Sequence, residues 1–349
     1  DTLKRAKDYL SNILYGKEEP GNLLNQIVQN DELEEFTELD LLGKLFDTKK
    51  PQIFAESEVV GDGSDWNLTE LQLLGDISIA ASVTIYDNGK HEEPVLYYRP
   101  ITGTLVFTPG ALLCNGRGLI PPDLEEVTTE DGQISTEGYY NLYKRRLLPV
   151  LEFINEHATE RRSAFITIPG LGCGQFAGDF HGQLGHELQK VFIRLLHDHG
   201  NDFQNIKGVY YDPYNECVNE RFEIHGISFM VRPLTASGNS QKSQLSRPES
   251  FAEGDDDFSN CSLYSVVAWD HVSWPGNDFY IGSRMTDDGV KAAATNSMSV
   301  LTQVEGVYDS YLNKYQPPKP FSTWKDVVDR KLSEGKLRLW NLELVHKSI

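Results

Sequence analysis

The chain has 349 residues, of which 39% are hydrophobic and 24% charged, enough apolar material for one large domain with additions or two modest ones. Its 32 Lys and Arg stand against 52 Asp and Glu, a formal charge of −20 that disfavours bulk nucleic-acid binding and anionic membranes, though not a small phosphorylated ligand held by backbone N–H groups. No apolar run is long enough to span a membrane. Cys114, Cys173, Cys217 and Cys261 form no CxxC pair, which gives neither a zinc signature nor a disulfide framework and fits a reducing compartment.

Residues 1 to about 50 read as amphipathic helices, with Leu3, Ala6, Tyr9 and Leu10 at helical spacing and a second set at Leu23, Leu24, Ile27 and Leu41 to Leu45. Such helices pack on a neighbour or a partner, and nothing in them points to chemistry. A turn-rich stretch at 61–67 precedes strand-like runs at 77–86, 95–98 and 104–107. A helix follows at 138–157, a strand at 164–168, a helix at 184–197, and strands at 206–211 and 227–231. Residues 235–260 are a polar insertion with no requirement for order. A strand at 263–269, a helix from about 287 to 301, a proline-broken stretch and a helix at 323–332 complete the chain. This alternation predicts an α/β fold: a largely parallel sheet flanked by helices, with an added helical N-terminal region (1–70), a central α/β domain (71–316) and a helical C-terminal extension (317–349).

Two segments carry candidate chemistry. The strand Ala164–Ile168 runs into Gly170-Leu171-Gly172-Cys173-Gly174-Gln175-Phe176-Ala177-Gly178. A strand, a glycine loop and a helix in that order are a setting for phosphate binding beyond the strand ends, and the plainer alternative is a tight turn. Residues 172–177 match the G-x-G-x-x-A dinucleotide variant, but the acid expected about twenty residues later is missing, and Asp212 comes forty positions on.

The second segment, 268–296, holds Asp270 at a strand end, Asp278 after a turn containing Gly276 and Asn277, and Asp287 and Asp288 at a helix start capped by Thr286. Three carboxylates at such places suit glycosyl-bond hydrolysis. One steadies an oxocarbenium-like charge or activates water, and another with raised proton affinity protonates the leaving group. Each also has a structural reading: Asp270 as an Asx turn, Asp278 as a loop acid, Asp287 and Asp288 as partners of the helix dipole. His181, His186 and His271 with the aspartates would suit a metal-dependent hydrolase, but no His pair with metal-binding spacing occurs. Cys173 has no identifiable histidine partner that would make it a nucleophile.

Taken together, the two segments resemble the macrodomain family of ADP-ribose-binding and ADP-ribose-hydrolysing proteins. IPGLGCGQFAG is similar to that family's second phosphate-binding loop, which implies ADP-ribose contacts from Gly170, Gly172, Cys173, Gly174, Gln175 and Phe176. The segment 274–294 is similar to the other half of the site, implying contacts from Gly276, Asn277 and Asp287. The resemblance extends to an effector that a bacterial pathogen delivers into host cells, in which three aspartates serve hydrolysis, and the spacing fits Asp270, Asp278 and Asp288. It implies removal of ADP-ribose from arginine, with ubiquitin as a candidate modified protein, and no cofactor beyond ADP-ribose as ligand and product. A reader module that binds without cleaving is the alternative. The N-terminal helices offer a surface for a host protein. Gly75-Asp76-Ile77 is similar to an adenine-contacting motif of the family, and the plainer alternative is an ordinary Gly-Asp turn before a strand. One departure stands out: many macrodomains place the asparagine loop before the glycine loop, and here it follows.

Overall fold

The computed structural model of the protein describes residues 1–29, 33–51, 64–115, 119–236, 242–335 and 343–345. Three stretches with sequence expectations fall partly outside them, at 61–63, 237–241 and 336–342 with 346–349.

Four helices open the chain: α1 (Thr2–Leu14), α2 (Asn22–Val28), α3 (Glu38–Asp47) and α4 (Leu68–Gly75). Their apolar faces meet in a core of their own, with Ala6, Tyr9, Leu24, Leu41, Leu45, Trp66 and Leu74 buried together against Leu112 and Val272. The amphipathicity that suggested an outside partner is therefore accounted for by packing within the chain.

Strands β1 (Ile79–Asp87) and β2 (Leu96–Pro109) form an antiparallel hairpin. After the short α5 (Leu124–Val127), the long α6 (Thr136–His157) leads to β3 (Ala164–Pro169), α7 (Leu184–His199) and β4 (Ile206–Asp212). The edge pair β5 (Glu220–Ile224) and β6 (Ile227–Val231) is followed by β7 (Ser262–Trp269), α8 (Asp287–Ala294) and α9 (Ser297–Thr302). A small ribbon of β8 (Val307–Asp309) and β9 (Lys314–Gln316), then α10 (Trp324–Ser333) and β10 (Glu343–Leu344), end the chain.

The main sheet has the order β10-β1-β2-β7-β3-β4-β6-β5. The five strands β2, β7, β3, β4 and β6 are mutually parallel, and the edges are antiparallel, so the sheet is mixed. Central strands are buried on both faces and divide alternate residues between two cores. In β3, Ile166 and Ile168 join α6 and α7 on one face, while Phe165 joins α8, α9 and α10 on the other.

Three expectations change. The polar insertion is packed from 242 to 260, because Leu245, Phe251 and Phe258 are apolar anchors buried in the second core and both phenylalanines lie against Phe165. The C-terminal extension is not wholly helical, since β10 pairs along β1. The helix expected over 287–301 breaks at Asn296, whose side chain accepts the Thr84 amide at 2.7 Å and whose amide reaches the Thr84 carbonyl, so hydrogen bonding to the sheet outcompetes helix continuation.

Candidate functional site

Parallel pairing sends the ends of β2, β7, β3 and β4 to one edge of the sheet, the usual ligand edge of such folds. There β7 pairs with both β2 and β3, so the aspartate segment emerges beside the glycine loop although it follows it by about a hundred positions. Chain order and spatial order differ, and adjacency is set by the sheet.

The glycine loop is positioned from below. The Tyr143 hydroxyl, on α6, donates to the Leu171 carbonyl at 2.6 Å and accepts the Ala111 amide at 3.0 Å, joining the loops that follow β3 and β2. These loops touch closely. A Cβ on Gly110 would lie 2.3 Å from the Gly172 nitrogen, and Gly172 itself has φ +70°, so both conformation and space demand glycine there. Gly170, Cys173 and Gly174 line a cleft of about 840 Å³. Gln175 is exposed, and Phe176 is half-buried against the N-terminal core.

The helix expected behind the loop is α7, set back from the glycines. A 3₁₀ segment, Gln175–Phe180, comes first, and the α7 start is capped by Glu216, which accepts the Gly185 amide at 2.7 Å. Cys173 is buried, which pushes its thiol well above the ordinary range, and Sγ points to the Leu171 carbonyl. That is an inert thiol.

Asp270, Asp278 and Asp288 are all buried. Asp270 accepts the Val272 and Ser273 amides at 2.9 and 2.6 Å and the Ser273 hydroxyl at 2.5 Å, the Asx-type turn that the sequence allowed. Asp278 accepts the Met285 amide at 2.8 Å and the Thr286 hydroxyl, so it braces the start of α8. Asp288 differs. One oxygen accepts the Gly276 amide at 2.9 Å, and the other has no partner. Burial pushes its proton affinity well above the ordinary carboxyl range; the Gly276 N–H works against that, and the charges of Asp287, Asp270 and Asp278 add to it. The three aspartates and Asp287 therefore share one electrostatic neighbourhood. Gly276 takes φ +121° and would press any side chain onto Met298 and Tyr280, and Asn277 beside it is half-buried with φ +35°.

Asp287 borders the cleft. Its carboxylate accepts the Ala268 amide at 2.8 Å and lies 2.9 Å from Lys291 Nζ, which also donates to Gln244 at 2.8 Å. Asp212 closes the same cleft next to Gly170, and burial raises it to about 6 despite N–H bonds from Tyr214 and Leu234.

Sequence reading missed a cation. Lys49, just after α3, is buried, donates to the His271 carbonyl at 2.5 Å and sits 3.9 Å from the centre of the Trp269 ring. Burial lowers its pKa to about 7, against the opposing pull of Asp270. The Lys50 backbone hydrogen-bonds with Val272 and Trp274, so the N-terminal region is fastened to the aspartate segment. No periodicity marks such a residue; only the tertiary fold does.

Asp76, in the Gly75-Asp76-Ile77 stretch, is buried and bound by Arg5 at 2.6 Å, Arg145 at 2.7 Å and Arg146 at 3.4 Å. Arg146 continues to Asp123 at 2.8 Å, and Asp123 to His271 at 3.1 Å and to the Leu112 amide. This carboxylate is the counter-ion of three arginines. His271 is likewise committed to Asp123, and among the described residues no three His, Cys, Asp or Glu side chains are grouped to hold a metal ion.

The chain matches the family model described as Macrodomain effector MavL over residues 1–321. It belongs to that family. The mixed sheet with helices on both faces is thus a macrodomain fold, and the match includes the N-terminal helices that carry Lys49. No curated protein matches the chain. Among the described residues no helix is long and apolar enough to cross a membrane.

Proposed function

We propose that the protein binds ADP-ribose along the cleft and hydrolyses it from modified protein, with Asp270, Asp278 and Asp288 serving the reaction. The observation that carries this reading is Asp288: a buried carboxyl of raised proton affinity, with one oxygen unpartnered, beside Asp270 and Asp278 and one residue from the cleft-lining Asp287. A carboxyl held protonated is a general acid. In the reaction the bond from the ribose anomeric carbon to the arginine nitrogen breaks, Asp288 delivers its proton to that nitrogen, and water adds to the anomeric carbon. The proton released by the water returns to the carboxylate group. Asp270 and Asp278, fixed by their hydrogen bonds, steady the positive charge on the ribose. Arginine is a strongly basic leaving group, which is where a positioned acid matters most. The modified protein is then an arginine-linked one, ubiquitin among the candidates, met in a host cell reached by a bacterial effector. ADP-ribose is ligand and product, and no cofactor enters.

A second reading, a module that binds without cleaving, is favoured by the saturation of Asp270 and Asp278 with donors from their own chain. Calorimetry with ADP-ribose, and release of ADP-ribose from arginine-modified protein, separate the two. Binding with turnover that disappears when the three aspartates become alanine supports hydrolysis; binding without turnover supports the reader; no binding by folded protein removes both.

A further inference from the structure

The charges of Asp270, Asp278 and Asp287 all reach Asp288, so four carboxyl groups crowd one end of the fold. Carboxylates packed this closely are not all ionised together unless cations stand among them. Two buried lysines do. Lys291, on α8, lies 2.9 Å from Asp287. Lys49 comes from the N-terminal helical region, more than two hundred positions back along the chain, and stands in the field of Asp270.

Residues 49 and 50 grip the Asp270 segment from outside. Lys49 Nζ donates to the His271 carbonyl at 2.5 Å and lies 3.9 Å from the centre of the Trp269 ring, so the ammonium spans the two chain neighbours of Asp270. The Lys50 amide donates to the Val272 carbonyl at 2.8 Å, and the Lys50 carbonyl accepts the Trp274 amide at 2.9 Å, a parallel bridge opposite Ser273. The other donors of the same turn go inward: the amides of Val272 and Ser273 and the Ser273 hydroxyl end on the Asp270 carboxylate. The turn is shared between Asp270 on its inner side and the N-terminal strap on its outer side.

These three donors already fix the direction of the carboxylate, so what Lys49 adds is charge. An ammonium is a costly way to fill buried space, which a methionine of similar length would fill without desolvating an ion. Burial works against the charge on Lys49, and Asp270 works for it. The neighbouring His271 cannot take its place, because the ring is spent on Asp123 and burial lowers its own proton affinity.

We infer that Lys49 is a positioning residue for the hydrolysis: carried on a strap from the N-terminal helices, its ammonium supplies the counter-charge for Asp270, a carboxylate that steadies the ribose cation. The inference rests on the hydrolysis reading and deepens it. Asp270 and Asp287 each have a buried lysine, and the proton is left to Asp288. The N-terminal helices become part of the catalytic unit, in keeping with a family match that includes them.

The test is a double-mutant cycle on the full chain, read by single-turnover release of ADP-ribose from arginine-modified protein, with calorimetry and thermal melting alongside. Lys49→Met is expected to melt no lower than wild type, because it relieves a buried charge. It should bind ADP-ribose within about twofold of wild type and lose turnover by about 10²-fold, the scale for one preorganised electrostatic group. In an Asp270→Asn background the same change should cost less than about twofold, since the charge through which Lys49 acts is gone. Lys49→Gln still donates to the His271 carbonyl but carries no charge; it should be as impaired as the Met variant, and it carries the cycle alone if the Met variant does not fold. Wild-type turnover in either variant overturns the inference. So does a loss just as large in the Asp270→Asn background, or a matching loss of ADP-ribose affinity, either of which would make the strap a structural support only. A wild-type protein that binds ADP-ribose and releases none from modified protein removes the hydrolysis reading, and this inference with it.

Discussion

A Cβ placed on Gly289 would lie 2.0 Å from Oδ1 of Asp278. The helix start and the loop aspartate are thus in direct contact, and the absence of a side chain at 289 is what lets Asp278 accept from Met285 and Thr286. In an exposed helix, replacing glycine with alanine gains up to about 1 kcal/mol. Here the carboxylate cannot swing aside without losing those partners. Gly289→Ala is expected to cost about 1–3 kcal/mol by overpacking and to lower turnover of arginine-linked ADP-ribose about a hundredfold, if Asp278 has the role proposed. Thermal melting and single-turnover kinetics check the two parts. An alanine variant as active as wild type would show that the position of Asp278 does not matter.

Asp288 predicts a trade between stability and activity. Its folded-state proton affinity is raised, so the folded protein holds a proton that the unfolded chain gives up near pH 4. Stability from this group is therefore fully present below that pH and declines as pH rises towards the raised folded value. Asp288→Asn removes the titration while keeping the shape. The variant is expected to gain about 1–3 kcal/mol at neutral pH relative to wild type, the usual scale for a buried polar group lacking a partner, with the gap closing in acid. Turnover should fall by about 10²–10⁴-fold. Denaturant melts at several pH values measure the first, and a variant that loses stability uniformly at all pH would contradict it.

Much of this arrangement was legible in the sequence, for identifiable reasons. The strands at 164–169, 206–212, 227–231 and 262–269 are largely apolar because both faces are mostly buried, and such runs announce themselves. The short edge strand Glu220–Ile224 escaped notice because its outward residues are polar and it is held by pairing rather than by pattern. The aspartates were found from their density, yet spacing cannot tell Asp288, with a free oxygen, from Asp270, which is closed in a turn. Lys49 was invisible. It acts through burial imposed by a distant segment.

The buried ionic chain through Arg146 should dominate stability at the N-terminal junction. Arg146 contacts both Asp76 and Asp123, and all three side chains are buried. Arg146→Met leaves Asp123 without its main counter-charge and takes from Asp76 one of its three arginines, and removing one partner of a buried ion pair costs about 3–5 kcal/mol. Burial works to raise the Asp123 carboxyl, but Arg146 and His271 outweigh it and hold it well below the usual range. Its contribution is therefore present above the unfolded value near pH 4 and lost as pH falls below that. Wild-type protein should lose stability in acid more steeply than the Met variant. Parallel acid profiles for the two proteins would count against the coupling.

Tyr143 tests whether the two strand-end loops act as one unit. Its hydroxyl is the shared atom between Ala111, after β2, and Leu171, after β3, and the glycines of those loops are in contact directly above it. Tyr143→Phe keeps the buried ring and deletes only that hydroxyl, leaving the buried Ala111 amide unpaired and the Leu171 carbonyl with only the weak Cys173 thiol donor. The expected stability cost is about 1–3 kcal/mol. If the glycine loop binds the ligand, its altered seat should also weaken ADP-ribose by about tenfold, whereas a loop that is only a turn would lose stability without touching affinity. Calorimetry on the Phe variant, well below its melting temperature, separates these outcomes, because a ligand held elsewhere has no reason to sense the loss of a hydroxyl buried beneath Leu171.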